Sequence, residues 1–90
     1  MASTERDLER QLKVLANRRR LAILKYLKNN KEAAVGEIAH EIKLSFKSTS
    51  KHLAILAALD IVEREQRSLQ MFYGLTGNYS PAVRFIISIL

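Results

Sequence analysis

The sequence predicts a mainly α fold with a small β-hairpin, and three observations indicate it. Between Leu8 and Leu59 apolar residues recur at helical spacing. The period then changes, and two short stretches follow, the second containing the β-favouring run Met71, Phe72 and Tyr73. Pro81 then stands where a last helix can begin, because proline suits the first helical turn. The expected order is four helices, a hairpin and a final helix.

The four helices before the hairpin are delimited by apolar stripes and by capping residues. Asn17 is a suitable N-cap for the second helix, and Asn29 with Asn30 tolerate the left-handed conformation that often ends a helix. A linker at residues 32–35 precedes the third. The helices are expected over residues 4–16, 18–28, 37–43 and 46–59.

The fourth helix is the most informative part of the chain. Ser45 can accept a hydrogen bond from a free backbone N–H of its first turn. Thr49, Leu53 and Leu56 follow the i, i+4, i+7 spacing of a buried stripe. With the tight turn before it, this helix resembles the second helix of a helix-turn-helix, the one that enters a DNA major groove.

The other face of that helix carries hydroxyls and ammonium groups, which suit phosphate oxygens and base edges. No acidic residue lies between Ser45 and Leu59, whereas an ordinary surface helix mixes both charge signs. The residues on this face are Phe46, Lys47, Ser50 and Lys51, with His52 near its edge.

The hairpin completes the fold. Strands are expected over residues 61–66 and 70–75, joined by Arg67, Ser68 and Leu69. The helix-turn-helix would then span about residues 35–59 and the wing about residues 61–76. The chain is predicted to be a winged helix-turn-helix forming a single domain over residues 1–90.

The composition limits which partners and which cellular compartment are expected for the protein. The net charge of +6 and the pI near 10.0 favour a polyanionic partner, nucleic acid before membrane. The absence of cysteine excludes disulfides and thiolate metal sites. The amino terminus is polar and charged, and no apolar run reaches the roughly 20 residues that span a bilayer. We therefore expect a cytoplasmic protein without a membrane partner.

Three segments resemble the ArsR-type family of small bacterial and archaeal repressors. They are LKVLANRRRLAILKYL, VGEIAHEIKLSFKSTSKHLAILAALDIVERE and MFYGLT. The resemblance implies a homodimer that binds an imperfect palindrome and blocks transcription. It also implies that the first and last helices form the dimer interface, while the recognition helices enter successive major grooves of double-stranded DNA.

The resemblance also implies roles for individual recognition-helix residues. Lys47, Ser50 and Lys51 match DNA-facing positions, and Ser48 is expected to contact the DNA backbone. Phe46 replaces a side chain that is often polar, so it either touches a thymine methyl group or folds back onto the turn. His52 either donates to phosphate or has a structural role.

Basic residues elsewhere give further candidates. Arg18 and Arg19 open a helix, where the helix dipole disfavours cations, so an external phosphate is one explanation. Arg20 matches a structural arginine of the family. The resemblance also implies that the wing tip lies in or beside the minor groove, where Arg64 and Arg67 would be favoured, although neighbouring glutamates leave simple solvation open.

This chain departs from the family by lacking glycine at three positions. The family usually has glycine near the wing tip, and often at the positions of Lys43 and Asp60. Lys43 and Asp60 would have to adopt the left-handed conformation, with modest strain at Lys43. The missing glycine leaves the geometry of the wing open.

The last helix, over residues 81–90, is apolar on almost every side, which one face of a small monomer cannot cover. Burial against a partner subunit, together with residues 4–16, is the simplest remedy. The alternative is that both faces pack within one subunit. The expected interface residues are Leu8, Leu12, Val83, Ile86, Ile87 and Leu90.

The sequence shows no set of residues for other chemistry. No nucleophile–base set, phosphate loop or spaced metal-ligand cluster is present, so we expect no enzyme, metal or cofactor, and no effector is identified. The prediction is a sequence-specific DNA-binding regulator acting as a repressor. A sequence-neutral DNA architectural protein and a winged-helix protein–protein module remain alternatives.

Overall fold

The computed structural model describes residues 4–90, so residues 1–3 of the predicted domain lie outside the described residues. The predicted fold class is confirmed, because helices surround a small antiparallel sheet. The elements are α1 (Glu5–Leu15), α2 (Arg18–Asn29), β1 (Ala33–Ala34), α3 (Val35–Ile42), α4 (Phe46–Ala58), β2 (Val62–Arg67), β3 (Gln70–Leu75) and α5 (Pro81–Ser88).

The sheet has three strands in the order β1-β3-β2. Strands β2 and β3 form the expected hairpin, but β2 is shifted by one residue from the predicted 61–66. Arg67, expected in a three-residue connection with Ser68 and Leu69, is the last residue of β2 and lies opposite Gln70. The prediction of a linker at residues 32–35 is wrong, because part of this segment forms strand β1. Ala33 pairs with Tyr73 and Ala34 with Phe72, so this short strand covers the outer edge of β3 and joins the wing to the helices.

The core lies where α2, α3 and α4 meet the sheet and α5. Among its residues, Ile23, Leu24, Ile38, Leu53 and Leu56 have no measurable exposure. The same core includes Val83 and Ile87 of α5. These contacts hold α4 and the start of the wing in fixed positions against the same core.

The start of α3 and the conformation that ends α2 differ from the predictions. Helix α3 begins at Val35 rather than at residue 37, because the chain enters it directly from β1 without a side-chain cap. Asn30 ends α2 in an extended conformation, not a left-handed one, and its Nδ2 donates to the Tyr26 carbonyl oxygen at 2.9 Å. The Asn30 backbone N–H donates to the same oxygen at 3.0 Å, so both groups of Asn30 close the end of the helix on one carbonyl.

Three residues other than glycine take the left-handed conformation that usually favours glycine. Lys43 has φ 56°, Asp60 has φ 59° and Ser68 has φ 57°. The left-handed conformation of Lys43 and Asp60 is as predicted. Lys43 lies before the start of α4 and Asp60 lies after its end. At both places the chain must reverse direction within a few residues.

Arg20 links three helices through one side chain. Its Nε donates to the Val14 carbonyl oxygen of α1 at 2.5 Å, and its Nη1 lies 3.2 Å from Nδ1 of His52 on α4. A guanidinium can only donate, so Nδ1 must be the unprotonated acceptor and Nε2 carries the proton. The structural role expected for Arg20 is therefore what its contacts show.

His52 is held neutral in this setting. Partial burial lowers its pKa below the ordinary value of 6.5, and the charges of Arg20 and Arg19 lower it further. Protonation would place a cation beside two others and remove the acceptor used by Arg20. The folded state therefore favours the neutral ring.

We predict that Gly74→Ala destabilises the fold. A Cβ atom at this position in β3 would lie 2.9 Å from the backbone carbonyl oxygen of Lys31, which cannot rotate away. The expected loss is about 1–3 kcal/mol in the free energy of unfolding, measured by urea denaturation. Gly36→Ala is the matched control, because nothing lies within 4 Å of a Cβ there and alanine favours the helix. Equal stabilities of the two variants would contradict the close approach at Gly74.

We predict that acidification destabilises the fold through His52. Because the folded pKa is depressed, this contribution is complete above 6.5 and is lost as pH falls from there through the folded pKa. Urea denaturation from about pH 7.5 to about pH 5.5 should show a fall that His52→Gln reduces. His40→Gln, which changes the exposed histidine of α3, should retain the full wild-type fall. The same pH dependence in wild type and His52→Gln would contradict this account.

Candidate nucleic-acid interface

The recognition helix α4 begins and ends at well-defined caps. The Ser45 hydroxyl accepts a hydrogen bond from the Ser48 N–H at 3.1 Å, as predicted for an N-cap. The left-handed Lys43 precedes it, and the N–H of Leu44 donates to the Ala39 carbonyl oxygen at 3.0 Å. This closed turn sets the angle between α3 and α4.

The inner row of α4 consists of Thr49, Leu53 and Leu56, all fully buried. Thr49 is a polar member of this row, and its hydroxyl donates to the Ser45 carbonyl oxygen at 2.8 Å. The buried hydroxyl is therefore paired and does not weaken the core. Burial of this row determines which residues of α4 face outward.

The outward row of α4 lies directly opposite, since residues at i, i+4, i+7 and i+11 share a helix face. Its members are Lys47, Lys51, Ala54 and Ala58, all exposed. Lys47 and Lys51 were predicted, whereas Ala54 and Ala58 were not, because alanine carries no functional signal in a sequence. Small side chains here would let the helix approach a base edge closely and contact thymine methyl groups.

The flanks of this row hold the other predicted residues. Phe46 is 62% exposed at the first helical position, so it does not fold back fully onto the turn. Ser50 and Ser48 are half-buried on opposite sides of the lysines. His52 is half-buried beside Ser48 and is engaged by Arg20, which leaves its Nε2–H free of that contact.

The arginines at the start of α2 differ in environment. Arg18 is exposed and Arg19 is half-buried, and neither forms an ion pair among residues 4–90. Arg19 is close enough to His52 to lower the pKa of that ring. The charge of Arg19 therefore acts on a residue of the recognition helix.

The two arginines of the wing have different environments. Arg64 is exposed on β2 and forms no ion pair within the described part of the chain. Arg67, predicted as a DNA contact, pairs with carboxylates of the chain. Its Nη1 and Nη2 donate to the Glu32 carboxylate at 2.5 and 2.7 Å, and Nη2 also donates to Glu65 at 2.8 Å. The guanidinium also stacks 4.7 Å from the centre of the Phe72 ring.

This ion-pair cluster changes the titration of both partners. The hydrogen bonds from Arg67 lower the pKa of the Glu32 carboxyl below 4.5. In return, the bonds to Glu32 and then Glu65 raise the pKa of Arg67. Arg67 therefore positions the wing against the loop before β1, where Glu32 lies.

The predicted dimer interface is partly corrected by the burial of α5. Val83 is 1% exposed and Ile87 is 5% exposed, because the chain's own core covers them. The exposed apolar residues of α5 are instead Phe85 at 65% and Ile89 at 66%. Both were missed, because a helix apolar on every side does not reveal which side faces inward. Ile86 and Leu90 pack partly against the core.

The first helix keeps its predicted apolar surface. Leu8 and Leu12 are exposed and line a shallow groove of about 400 Å³ along α1. The Ser80 hydroxyl, which caps α5, donates to the Gln11 side chain of α1 at 2.8 Å. The two helices are therefore joined at one point, and each presents apolar side chains.

Residues 4–90 bring no three His, Asp or Glu side chains together as a possible metal site. Within the same residues, no helix is long and apolar enough to cross a membrane. The arrangement instead presents cationic and small side chains on one helix beside a wing.

Comparisons with known proteins agree with this geometry. A family model described as bacterial regulatory protein, arsR family, matches residues 17–64. The chain is 38% identical over 79 residues to the transcriptional activator HlyU of Vibrio cholerae serotype O1, covering 88% of this chain and 69% of HlyU. The solved structure of HlyU from Vibrio cholerae N16961 has a TM-score of 0.81 at 34% identity, covering 99% of this chain and 92% of HlyU.

Two further solved structures are similar. The transcriptional repressor PagR of Bacillus anthracis has a TM-score of 0.72 at 27% identity, covering 96% of this chain and 98% of PagR. The homodimeric winged helix-turn-helix DNA-binding domain Mb0332 of Mycobacterium bovis has a TM-score of 0.75 at 25% identity, covering 99% and 84%. The chain therefore belongs to the ArsR family of bacterial regulatory proteins, winged helix-turn-helix proteins that bind DNA and regulate transcription.

Proposed function

We propose that this chain represses transcription as a cytoplasmic homodimer that recognises a twofold-symmetric sequence in double-stranded DNA. Each α4 would lie in a major groove, with the two grooves about one helical turn apart. Repression needs only occupancy of a promoter, because bound protein competes with polymerase for the same DNA. Among the relatives, HlyU is named an activator and PagR a repressor.

The observation that carries this proposal is the outward row of α4. Lys47 and Lys51 stand exposed beside Ala54, and the helix contains no acidic residue. Lysine can donate to guanine O6 and N7 or to phosphate, and alanine permits close approach. The buried inner row and the Arg20–His52 contact hold this surface in one orientation.

Phosphate contacts would supply much of the affinity. The net charge of +6 favours a polyanion, and Arg18 and Arg19 lie at the start of α2 without ion pairs among the described residues. Cations at a helix N-terminus are disfavoured by the helix dipole unless an anion compensates them. DNA phosphate is the anion that this location suits.

The dimer would form through α1 and α5. Leu8, Leu12, Phe85 and Ile89 are large apolar side chains that the chain leaves exposed. Burying one such side chain contributes roughly 1.5–3 kcal/mol, and twofold symmetry counts each residue twice. Four residues per subunit would therefore suffice for a stable dimer.

We predict that Lys47→Ala and Lys51→Ala each weaken DNA binding about tenfold at low salt and lower the salt dependence by about one released counterion. Fluorescence anisotropy measures this on a duplex from the region upstream of the protein's own coding sequence, at about 50 and about 200 mM salt. The same protein added to transcription from that duplex should reduce the transcript, and the lysine variants should reduce it less.

Lys25→Ala is the control, since it removes an exposed cation of α2 outside the candidate interface. It should bind DNA like wild type, apart from a small general effect of charge. Wild type should prefer the upstream duplex over a scrambled one by about a thousandfold. Equal binding to both duplexes would indicate an architectural protein. Unchanged binding in both lysine variants would remove α4 from the interface.

We predict that the double variant Leu12→Glu, Phe85→Glu is monomeric under conditions where wild type is a dimer. Placing a carboxylate at both apolar surfaces should weaken dimerisation by about a hundredfold or more. Sedimentation equilibrium measures the assembly. Leu69→Glu, at an exposed wing position, is the control and should stay dimeric. A dimeric double variant would show that the interface lies elsewhere.

A further inference from the structure

The tip of the wing presents an apolar side chain that the fold does not use. Arg67 pairs with Gln70, so the turn between β2 and β3 consists of Ser68 and Leu69 alone. Ser68 has a positive φ, as one residue of a two-residue hairpin turn commonly does. Leu69 is 97% exposed, more than any other large apolar residue described. No packing requirement of the hairpin explains a leucine there.

The cation nearest to this tip is already engaged. Two hydrogen bonds to Glu32 and one to Glu65 surround the Arg67 guanidinium with carboxylates, and Phe72 lies beneath it. Three of the five N–H groups of the guanidinium are used in these bonds, and two carboxylates already balance its charge, which weakens its attraction for a phosphate. The tip is therefore presented to a partner by Leu69 rather than by an arginine.

Leu69 and the start of the recognition helix line the same cleft. One cleft of about 470 Å³ is lined both by Leu69 and by Phe46, the first residue of α4. Met71 and Val35 form part of its apolar wall. Glu37 also lines it, and its carboxylate accepts a hydrogen bond from the Tyr26 hydroxyl. The wing tip and the start of α4 thus flank one surface depression.

We propose that Leu69 at the tip of the wing contacts DNA and enters the minor groove next to the major groove read by α4. This rests on the proposed function. Apolar side chains act in minor grooves as wedges that partly unstack a base step, most easily at flexible TA or CA steps. Leu69 therefore determines sequence preference at the flanks of each half-site, and Arg67 is a positioning residue that holds the hairpin against Glu32.

To test this proposal, wild type and Leu69→Gln are each used to select binding sites from a random duplex library. The affinity of both proteins for the wild-type consensus is then measured, and hydroxyl-radical footprints of both are recorded on it. Leu69→Gln should enrich the same central motif, lose the flanking TA or CA preference, and bind the consensus about tenfold more weakly. Its footprint should lose minor-groove protection at the flanks only. Leu69→Met keeps an apolar side chain and should behave like wild type.

The outcomes distinguish failure of the wing assignment from failure of the proposed function. If wild type enriches a motif and Leu69→Gln keeps its flanking preference, affinity and footprint, the wing assignment is wrong while the proposed function stands. If wild type enriches no motif, the proposed function fails and the wing assignment fails with it. Because Leu69 is exposed, the thermal unfolding midpoint of Leu69→Gln should equal that of wild type, which confirms that lost binding is not lost folding.

Discussion

The arrangement of this protein depends on the burial of one row of α4. Thr49, Leu53 and Leu56 have no measurable exposure, and the Thr49 hydroxyl is paired with the Ser45 carbonyl oxygen. A helix with three buried anchors in one row cannot rotate without opening the core. The lysines of the opposite face are therefore presented in a fixed direction, before any DNA is bound.

The turns around α4 depend on the same constraint. Lys43 and Asp60 accept the left-handed conformation, which costs roughly 1–2 kcal/mol for most residues, because the packed helix leaves no other path for the chain. The Asp60 carbonyl oxygen then accepts a hydrogen bond from Thr76 at 2.7 Å, so the start of the wing is tied to its end. The wing and the recognition helix are held as one unit.

Arg20 extends this unit to the helix proposed for dimerisation. It contacts Val14 of α1 and His52 of α4 from a single position on α2. A shift of α1 against a partner subunit would change the geometry of that contact directly. Arg20 therefore joins the helix proposed for dimerisation to the recognition helix by direct contacts.

Most of the fold could be predicted from the sequence, since periodicity and caps such as Ser45 are local signals. What could not be predicted depends on tertiary contacts. Strand β1 consists of two alanines and exists only because β3 offers an edge. The packed core determines which side of α5 faces inward, so that Val83 is buried and Phe85 is exposed. The pairing of Arg67 with Glu32 joins residues that are distant in sequence.

The central claim is that α4 and the wing tip read adjacent grooves of the same duplex. A crystal structure of the protein bound to its selected duplex tests this most directly. The account predicts two α4 helices in successive major grooves, with Lys47 and Lys51 against bases or phosphates, and Leu69 in the flanking minor groove. A complex in which α4 faces away from DNA, or in which the duplex is bound through another surface, would contradict it.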